Sequence, residues 1–422
     1  MKTHNSFDEQ YQFTGKVKTW SLIAIVIGVV TIVAGFLTHH EQRTFSNLLL
    51  MGYYFTCVCA AGVMFCGIQY AAQAGWSASI LRVPQAFGKV LPIAALILVV
   101  IIIAGLKMTH TVNVDGKNHI EPYLYARWAT PDLRIKDSGI YDSVIAGKAG
   151  YLNVPYFLFR IIGMLAVYSF FGWLFAKYSR DEDELGGMKY YNKSIVISAI
   201  FLVLFGFTVP VFAFDTIMSL EARWFSTMFG WYNLAGLWVS GLAAMTLIII
   251  YLRKQGQLSW VTENHLHNMG LFMFAFSVFW TYLWFAQFLL TYYANIPEES
   301  AYFFRRWEPD FKVWFWLNIV INFGAPLLVL MQRDSKRYVG TLQVMAVVII
   351  LGHWLDYFQM IAPNTIAPHE HWYWGVISWV EPGVFIGFAG LFTFLALSAL
   401  SKFKSLIPKN HPFLDESLHH HI

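Results

Sequence analysis

The sequence predicts an all-α integral membrane protein of about ten transmembrane helices, and three observations carry that expectation. Charged residues make up 13% of the chain and hydrophobic ones 57%, where a soluble domain carries about 25% charged residues. The apolar residues are grouped in runs of about 20 or more, the length a helix needs to cross a bilayer, and the mean hydropathy is +0.51. Aromatic residues reach 18%, with 17 Trp, and many fall at the ends of the runs, as an interfacial aromatic belt does.

Taken in order, the expected spans lie near Lys18–Thr38, Ser46–Ala72, Phe87–Met108, Tyr151–Tyr178, Lys193–Phe214, Phe229–Leu252, Leu266–Ala294, Phe311–Met331, Tyr338–Ile361 and Gly375–Leu400. Lys16 and Lys18 precede the first run and no small-x-small cleavage site follows, so it reads as an uncleaved span. The polar stretch Thr109–Gly150 reads as a periplasmic loop or cap without a core of its own. Residues 401–422 read as a cytoplasmic tail, and 1–422 as a single polytopic membrane domain. Lys and Arg fix the orientation. One side holds Arg82, Lys89, Lys177, Arg180, Lys254, Lys336 and Lys404 among others. The short loops opposite hold Arg43, Arg223, Arg305, Arg306 and Lys312. Both termini are then expected in the cytoplasm.

Several function classes find no support. The net charge of +4 is spread over short loops, so nucleic acid is not an expected partner. Cys57, Cys59 and Cys66 share one run without a Cys-x-x-Cys spacing or a heme-attachment motif, which suits small packing residues and no iron–sulfur cluster. A membrane b-type heme needs two histidines at facing depth, and no pair among His39, His40, His265, His267 and His353 meets that requirement. No covalent cofactor and no metal are expected. His369 and His371 flank Glu370, but residues two apart do not share a helical face, so a metal there would need a loop.

The informative feature is where ionisable residues enter apolar runs, because charge inside a membrane is costly and more often functional than decorative. Arg160, Asp215, His353, Asp356 and Glu381 all fall in the periplasmic half, and the cytoplasmic half is nearly free of such groups apart from loop charges. His353 and Asp356 are three apart and share a helix face. Such a pair can relay protons, the carboxylate fixing the imidazole tautomer. Arg160 needs a counter-ion, with Asp215 and Asp356 as the candidates. A buried pair that only fixes helix register is the competing reading. Asn318 and Asn322 share a face of the eighth span, and with Gln287 they suit interhelical hydrogen bonds.

Three stretches carry a family resemblance. Ser219–Thr227 (SLEARWFST), preceded by Asp215, is one. Phe285–Glu299 (FAQFLLTYYANIPEE), followed by Arg305–Arg306–Trp307, is the second. Trp354–Tyr357 (WLDY), leading to Pro363, is the third. Together they resemble the membrane subunits of bacterial alternative complex III, a branch of the NrfD-like polysulfide reductase family. The likeness is to the second quinone-binding-type subunit (ActF) rather than to its larger paralogue (ActC). The resemblance implies two antiparallel four-helix bundles, spans 2–5 and 6–9, flanked by the first and last spans. It implies a bacterial inner-membrane complex that oxidises menaquinol or ubiquinol. Electrons pass through separate iron–sulfur and heme c subunits toward cytochrome c or a cytochrome oxidase, with no redox centre in this chain. By motif it assigns Asp215, Glu221, Arg223 and Asp356, and the depth argument adds His353, Arg160 and Glu381 as quinone or proton-path candidates. The expected function is thus a membrane subunit supporting quinol oxidation, proton movement and assembly, and not a catalyst by itself. A secondary transporter is the alternative, since Pro210 and Pro326 interrupt spans.

Overall fold

A computed structural model describes residues 10–114, 117–366 and 376–420. His369 and His371 lie outside the described residues. Ten helices among those described are long and apolar enough to cross a membrane, so the chain is a multi-pass, all-α membrane protein. They are Lys16–Leu37, Glu41–Ala71, Arg82–Lys107, Val154–Leu185, Lys189–Thr216, Met228–Lys254, Glu263–Ala294, Pro309–Leu330, Val339–Thr365 and Val380–Leu400, called spans 1 to 10 below. Span 8 is continuous but changes winding, with a π-helical turn at Val320–Gly324 between two α-helical pieces.

Several spans run past their apolar cores. Spans 4 and 7 have 32 residues each, about 48 Å at 1.5 Å per residue, against a hydrocarbon layer of about 30 Å. Span 2 starts at Glu41 rather than Ser46, which draws Arg43 into the helix; span 3 starts at Arg82, with Pro84 in its first turn, where a missing N–H costs nothing. Span 4 continues to Leu185 and carries Glu182 and Asp183 with it.

Spans 2, 3, 4 and 5 close one ring of neighbours, and spans 6, 7, 8 and 9 close another. Spans 2 and 6 are the most enclosed, because they form the seam between the two bundles. Small residues allow that approach: a methyl built on Gly241 of span 6 would lie 2.1 Å from the Ala61 methyl of span 2. Span 1 packs almost entirely on span 10. A Cβ on Gly28 would lie 2.4 Å from the Gly387 Cα, so the two backbones touch.

Two features mark the ends of the bundle. At one end, β1 (Thr109–Val114) and β2 (Lys117–Pro122) form an antiparallel hairpin, followed by short helices. Leu124, Tyr125 and Trp128 are buried, and both rings pack on Phe157 at 5.0 Å because the segment presses on the top of the first bundle. This is called the hairpin end. At the other, the tail end, residues 401–420 fold back across the loops instead of projecting away. Ser417 donates to the Trp76 carbonyl, and Asn410 donates to the Asp183 carbonyl.

Candidate functional site

The buried ionic residues near the hairpin end do not form one cluster. They divide into separate pairs, each tying a different set of elements. Arg160 of span 4 grips Asp215 of span 5 through Nε (2.7 Å) and Nη2 (2.9 Å), the bidentate geometry that makes Arg–carboxylate pairs strong. The guanidinium also lies 3.8 Å from the Tyr151 ring and 4.3 Å from the Tyr156 ring, which stand nearly perpendicular to each other. Of the two counter-ions open to Arg160, the structure selects Asp215.

Glu221 lies in the corner between the bundles. It pairs with Arg305 at 2.9 Å and stands 3.8 Å from Arg306. Arg306 is buried and donates to the carbonyls of Gln359 (2.8 Å) and Met360 (3.1 Å), so it also ends the backbone ladder of span 9 around Pro363. Its guanidinium lies 3.4 Å over the Tyr302 ring, which itself stacks on Trp224 at 3.9 Å. This stack welds the Ser219–Thr227 corner to the helix Pro297–Trp307. Arg223 points outward, 70% exposed, and pairs with Asp142 at 2.7 Å. Burial works against ionisation of Asp142, but the Arg223 guanidinium and the backbone amides of Ile145 and Val144 outweigh it and hold the carboxyl below its usual range.

Glu381 pairs with a residue expected in a loop. Arg43 Nε donates to it at 2.7 Å, Asn47 at 2.9 Å and the Ser378 amide at 2.7 Å, and Arg43 also donates to the Val376 carbonyl. Span 10 is thereby pinned to span 2. The placement of Arg43 in a loop is corrected, because the helix begins a turn earlier and carries that residue inward.

Asp356 is different. Its Oδ1 accepts from the Tyr232 hydroxyl of span 6 and from Asn318 Nδ2 of span 8 (2.9 Å), and its Oδ2 accepts from Trp280 Nε1 of span 7 (3.1 Å). Each span of the second bundle thus contributes to this one carboxylate. Asn322 donates to Asn318 Oδ1 at 2.6 Å and to the Gly352 carbonyl at 2.9 Å, and the π turn starting at Val320 separates these two asparagines. Such turns recur at functional sites; Pro326, two residues past its end, lacks an N–H to continue the α ladder. His353 comes to 3.8 Å from Asp356 Oδ2 through Nδ1, too far for a hydrogen bond. It is fully buried, its two ring nitrogens have no partner, and its ring meets Trp280 edge-on at 5.5 Å.

Beside Asp356 lies a cavity with about 20 Å³ of room for the centres of water molecules, lined by Tyr232, Tyr302, Arg306, Asn318 and Gln359 among others. A buried water needs about 10–15 Å³ by this measure and two to four polar partners. Gln287 Oε1 and both amide atoms of Gln359 are buried there without partners. The cavity therefore suits water and is too small for a quinone ring. Gln287, expected to bridge helices, lines this space. A larger hollow of about 270 Å³ opens between spans 2, 6, 9 and 10, but its walls are apolar, and its Tyr54 hydroxyl already donates to the Ile350 carbonyl. Neither space offers a quinone headgroup both room and free hydrogen-bonding groups.

The sequence puts His353 and Asp356 on one helix face, and the structure holds them 3.8 Å apart without a hydrogen bond; Arg160, for which the sequence offers Asp215 and Asp356 alike, pairs with Asp215; Glu221, Arg223 and Glu381 stand apart from both. The sequence misses Tyr232, Trp280, Arg43 and Asn47. Arg82 and Glu182 are buried near the tail end, because spans 3 and 4 extend beyond their apolar cores. The described residues contain no group of three His, Cys, Asp or Glu side chains placed to hold a metal. No known family's model matches the chain, and no curated protein matches it in sequence.

Proposed function

We propose that this chain is a membrane subunit of a respiratory quinol:electron-acceptor oxidoreductase of the alternative complex III type, and that Asp356 is where it handles protons. The motifs SLEARWFST, FAQFLLTYYANIPEE and WLDY motivate the first half of the proposal. One structural observation carries the second. Asp215, Glu221, Glu381 and Asp142 each face an arginine, whereas Asp356 is held by neutral donors. Protonating an acid in a buried ion pair strands its arginine, and losing one partner of such a pair costs about 3–5 kcal/mol. Protonating Asp356 strands no cation, and the adjoining cavity has space for the water that would deliver the proton.

Oxidation of a quinol releases two protons with two electrons. In this reading the electrons leave through iron–sulfur and heme c subunits toward a cytochrome or an oxidase, and the ring is oxidised next to those partners, including the paralogous membrane subunit. The cavity at Asp356 does not fit the ring, so this chain accepts protons from the reaction rather than binding the headgroup there. The protein then sits in a bacterial inner membrane with the tail end and both termini in the cytoplasm. Purification of the tagged chain under mild detergent tests the first half. Co-purifying iron–sulfur and heme c proteins are the expected result, and a chain that purifies without them defeats it. Asp356→Asn tests the second: assembled complex with lowered quinol oxidation or proton release is expected, and unchanged values remove the proton role.

The π turn in span 8 beside Asn318 and Asn322 favours one other reading, a secondary transporter, since transporters put broken helices at their binding sites. Solute uptake by the chain alone in liposomes would establish it in place of the respiratory role.

A further inference from the structure

The tail end holds a second buried acid that the reading above does not use. Glu182, in the last turn of span 4, is fully buried, and neither carboxyl oxygen has a hydrogen-bond partner. The helix terminus supplies no counter-charge there, because helix C-termini are the negative end of the dipole. Arg82 of span 3 acts on it only at a distance, because its terminal nitrogens are used elsewhere: one pairs with Asp183 and the other donates to Gln85 Oε1 at 2.9 Å.

The side chains around Glu182 are equally unsatisfied. Tyr70 of span 2 faces Glu182, Arg82 and Ser179 without the alignment of a hydrogen bond. The Tyr70 hydroxyl, Ser179 Oγ, Gln85 Nε2 and Arg82 Nε are all buried and all lack partners. So many orphaned donors and acceptors converging from three spans is the pattern that ordered internal water satisfies, at about three hydrogen bonds per molecule.

The folded tail forms the roof. Asn410 donates to the carbonyls of Glu182 (3.3 Å) and Asp183 (2.9 Å), and the Lys409 amide donates to Asp183 Oδ1 at 2.9 Å. His411 packs edge-on against Tyr191 of span 5 at 5.2 Å, and Phe403 lies under Arg82 and Lys89. Burial first, and then the Arg82 guanidinium, push His411 down to about 4, so it is neutral at physiological pH and lends Glu182 no positive charge. Lys404 is committed to the exposed Glu184 at 2.9 Å.

We propose that Glu182, Tyr70, Ser179 and Gln85 enclose ordered water beneath the C-terminal tail, and that the Glu182 carboxyl binds and releases a proton there. The site is independent of the respiratory reading and of Asp356. The proton moves between a Glu182 oxygen and the enclosed water, and the tail governs how fast that water meets the bulk.

Infrared pH titration of the full-length protein in lipid nanodiscs, with its co-purifying subunits, tests this. The expected result is a protonated-carboxyl band that shifts in D2O, titrates with bulk pH, and is missing in Glu182→Gln. The Glu182 side chain makes no hydrogen bond, so that variant is expected to fold. If it does not, Glu182→Asp, which moves the carboxyl by one methylene, must displace the same band, while Glu184→Gln leaves it in place. Asn410→Ala, which loosens the roof, should speed deuterium exchange of the band about tenfold, equivalent to about 1.4 kcal/mol. A band that persists in Glu182→Gln, a band that ignores pH, or no band at any pH where the protein stays folded would each overturn the proposal.

Discussion

Arg160 holds Asp215 by two hydrogen bonds of 2.7 and 2.9 Å, and Asp215 is fully buried. The pair joins spans 4 and 5, so each charge is tolerated only because the other is there. Arg160→Met and Asp215→Asn are each expected to destabilise by about 3–5 kcal/mol. The double variant should recover much of that, because no charge is then left alone. Unfolding of the detergent-solubilised protein in a double-mutant cycle reads the coupling. Additive effects would show that the pair does not act as a unit.

Tyr232 donates to Asp356, whose protonation is the step at issue. Tyr232→Phe keeps the ring against Trp280 and removes only the hydroxyl. A hydrogen bond to a charged acceptor is worth about 1.5–3 kcal/mol. The variant should assemble, lose stability by about that amount, and shift the pH profile of proton release by the complex. A variant whose pH profile matches the unsubstituted protein would leave Tyr232 a packing residue.

At Gly387 spans 10 and 1 meet backbone to backbone, and a Cβ there would lie 2.5 Å from the Gly28 Cα. Gly387→Val forces the two backbones apart, and overpacking of this kind costs about 1–3 kcal/mol. The expected outcome is a lower melting temperature and faster cleavage of the loop after Leu37 by added protease. Gly324→Ala provides the control, since nothing lies within 4 Å of a Cβ there.

Docking of the tail should depend on pH through His411. Its native value of about 4 lies below the ordinary value of about 6.5. The docked tail therefore binds fewer protons than the released tail. Docking is at full strength above about pH 6.5 and weakens as the pH falls from there toward about 4. Protection of the amides of residues 409–420, taken relative to their intrinsic exchange rate at each pH, should fall over that interval, and His411→Phe should flatten the response. Protection that does not vary with pH would show that His411 does not set the strength of docking.

The spans were legible in the sequence because hydropathy is a local property summed over about 20 residues. Their ends were not, since charged residues continue the spans of Arg43, Arg82 and Glu182 while lowering the hydropathy that would reveal them. His353 with Asp356 was legible because helical spacing places residues three apart on one face. Arg43 with Glu381 was not: 338 positions separate them, and nothing local to either residue names the other. Tyr232 and Trp280 read as ordinary aromatic bulk, because only the assembled bundle turns their O–H and N–H toward one carboxylate. Glu221 was legible as a buried acid at a corner, but its arginines belong to a separate helix, Pro297–Trp307.

The contact between Gly28 and Gly387 also bears on how the chain is made. Of the ten spans, span 1 enters the membrane ahead of the rest, yet the partner that covers it, span 10, leaves the ribosome after the other nine. At about 5–20 residues per second, the interval between the two is roughly 20–70 s. During synthesis the glycine-rich face of span 1 lies against lipid or an insertion chaperone, and chains halted before span 10 display that face permanently. An unpaired span 1 is thus what sets an unfinished molecule apart from a finished one.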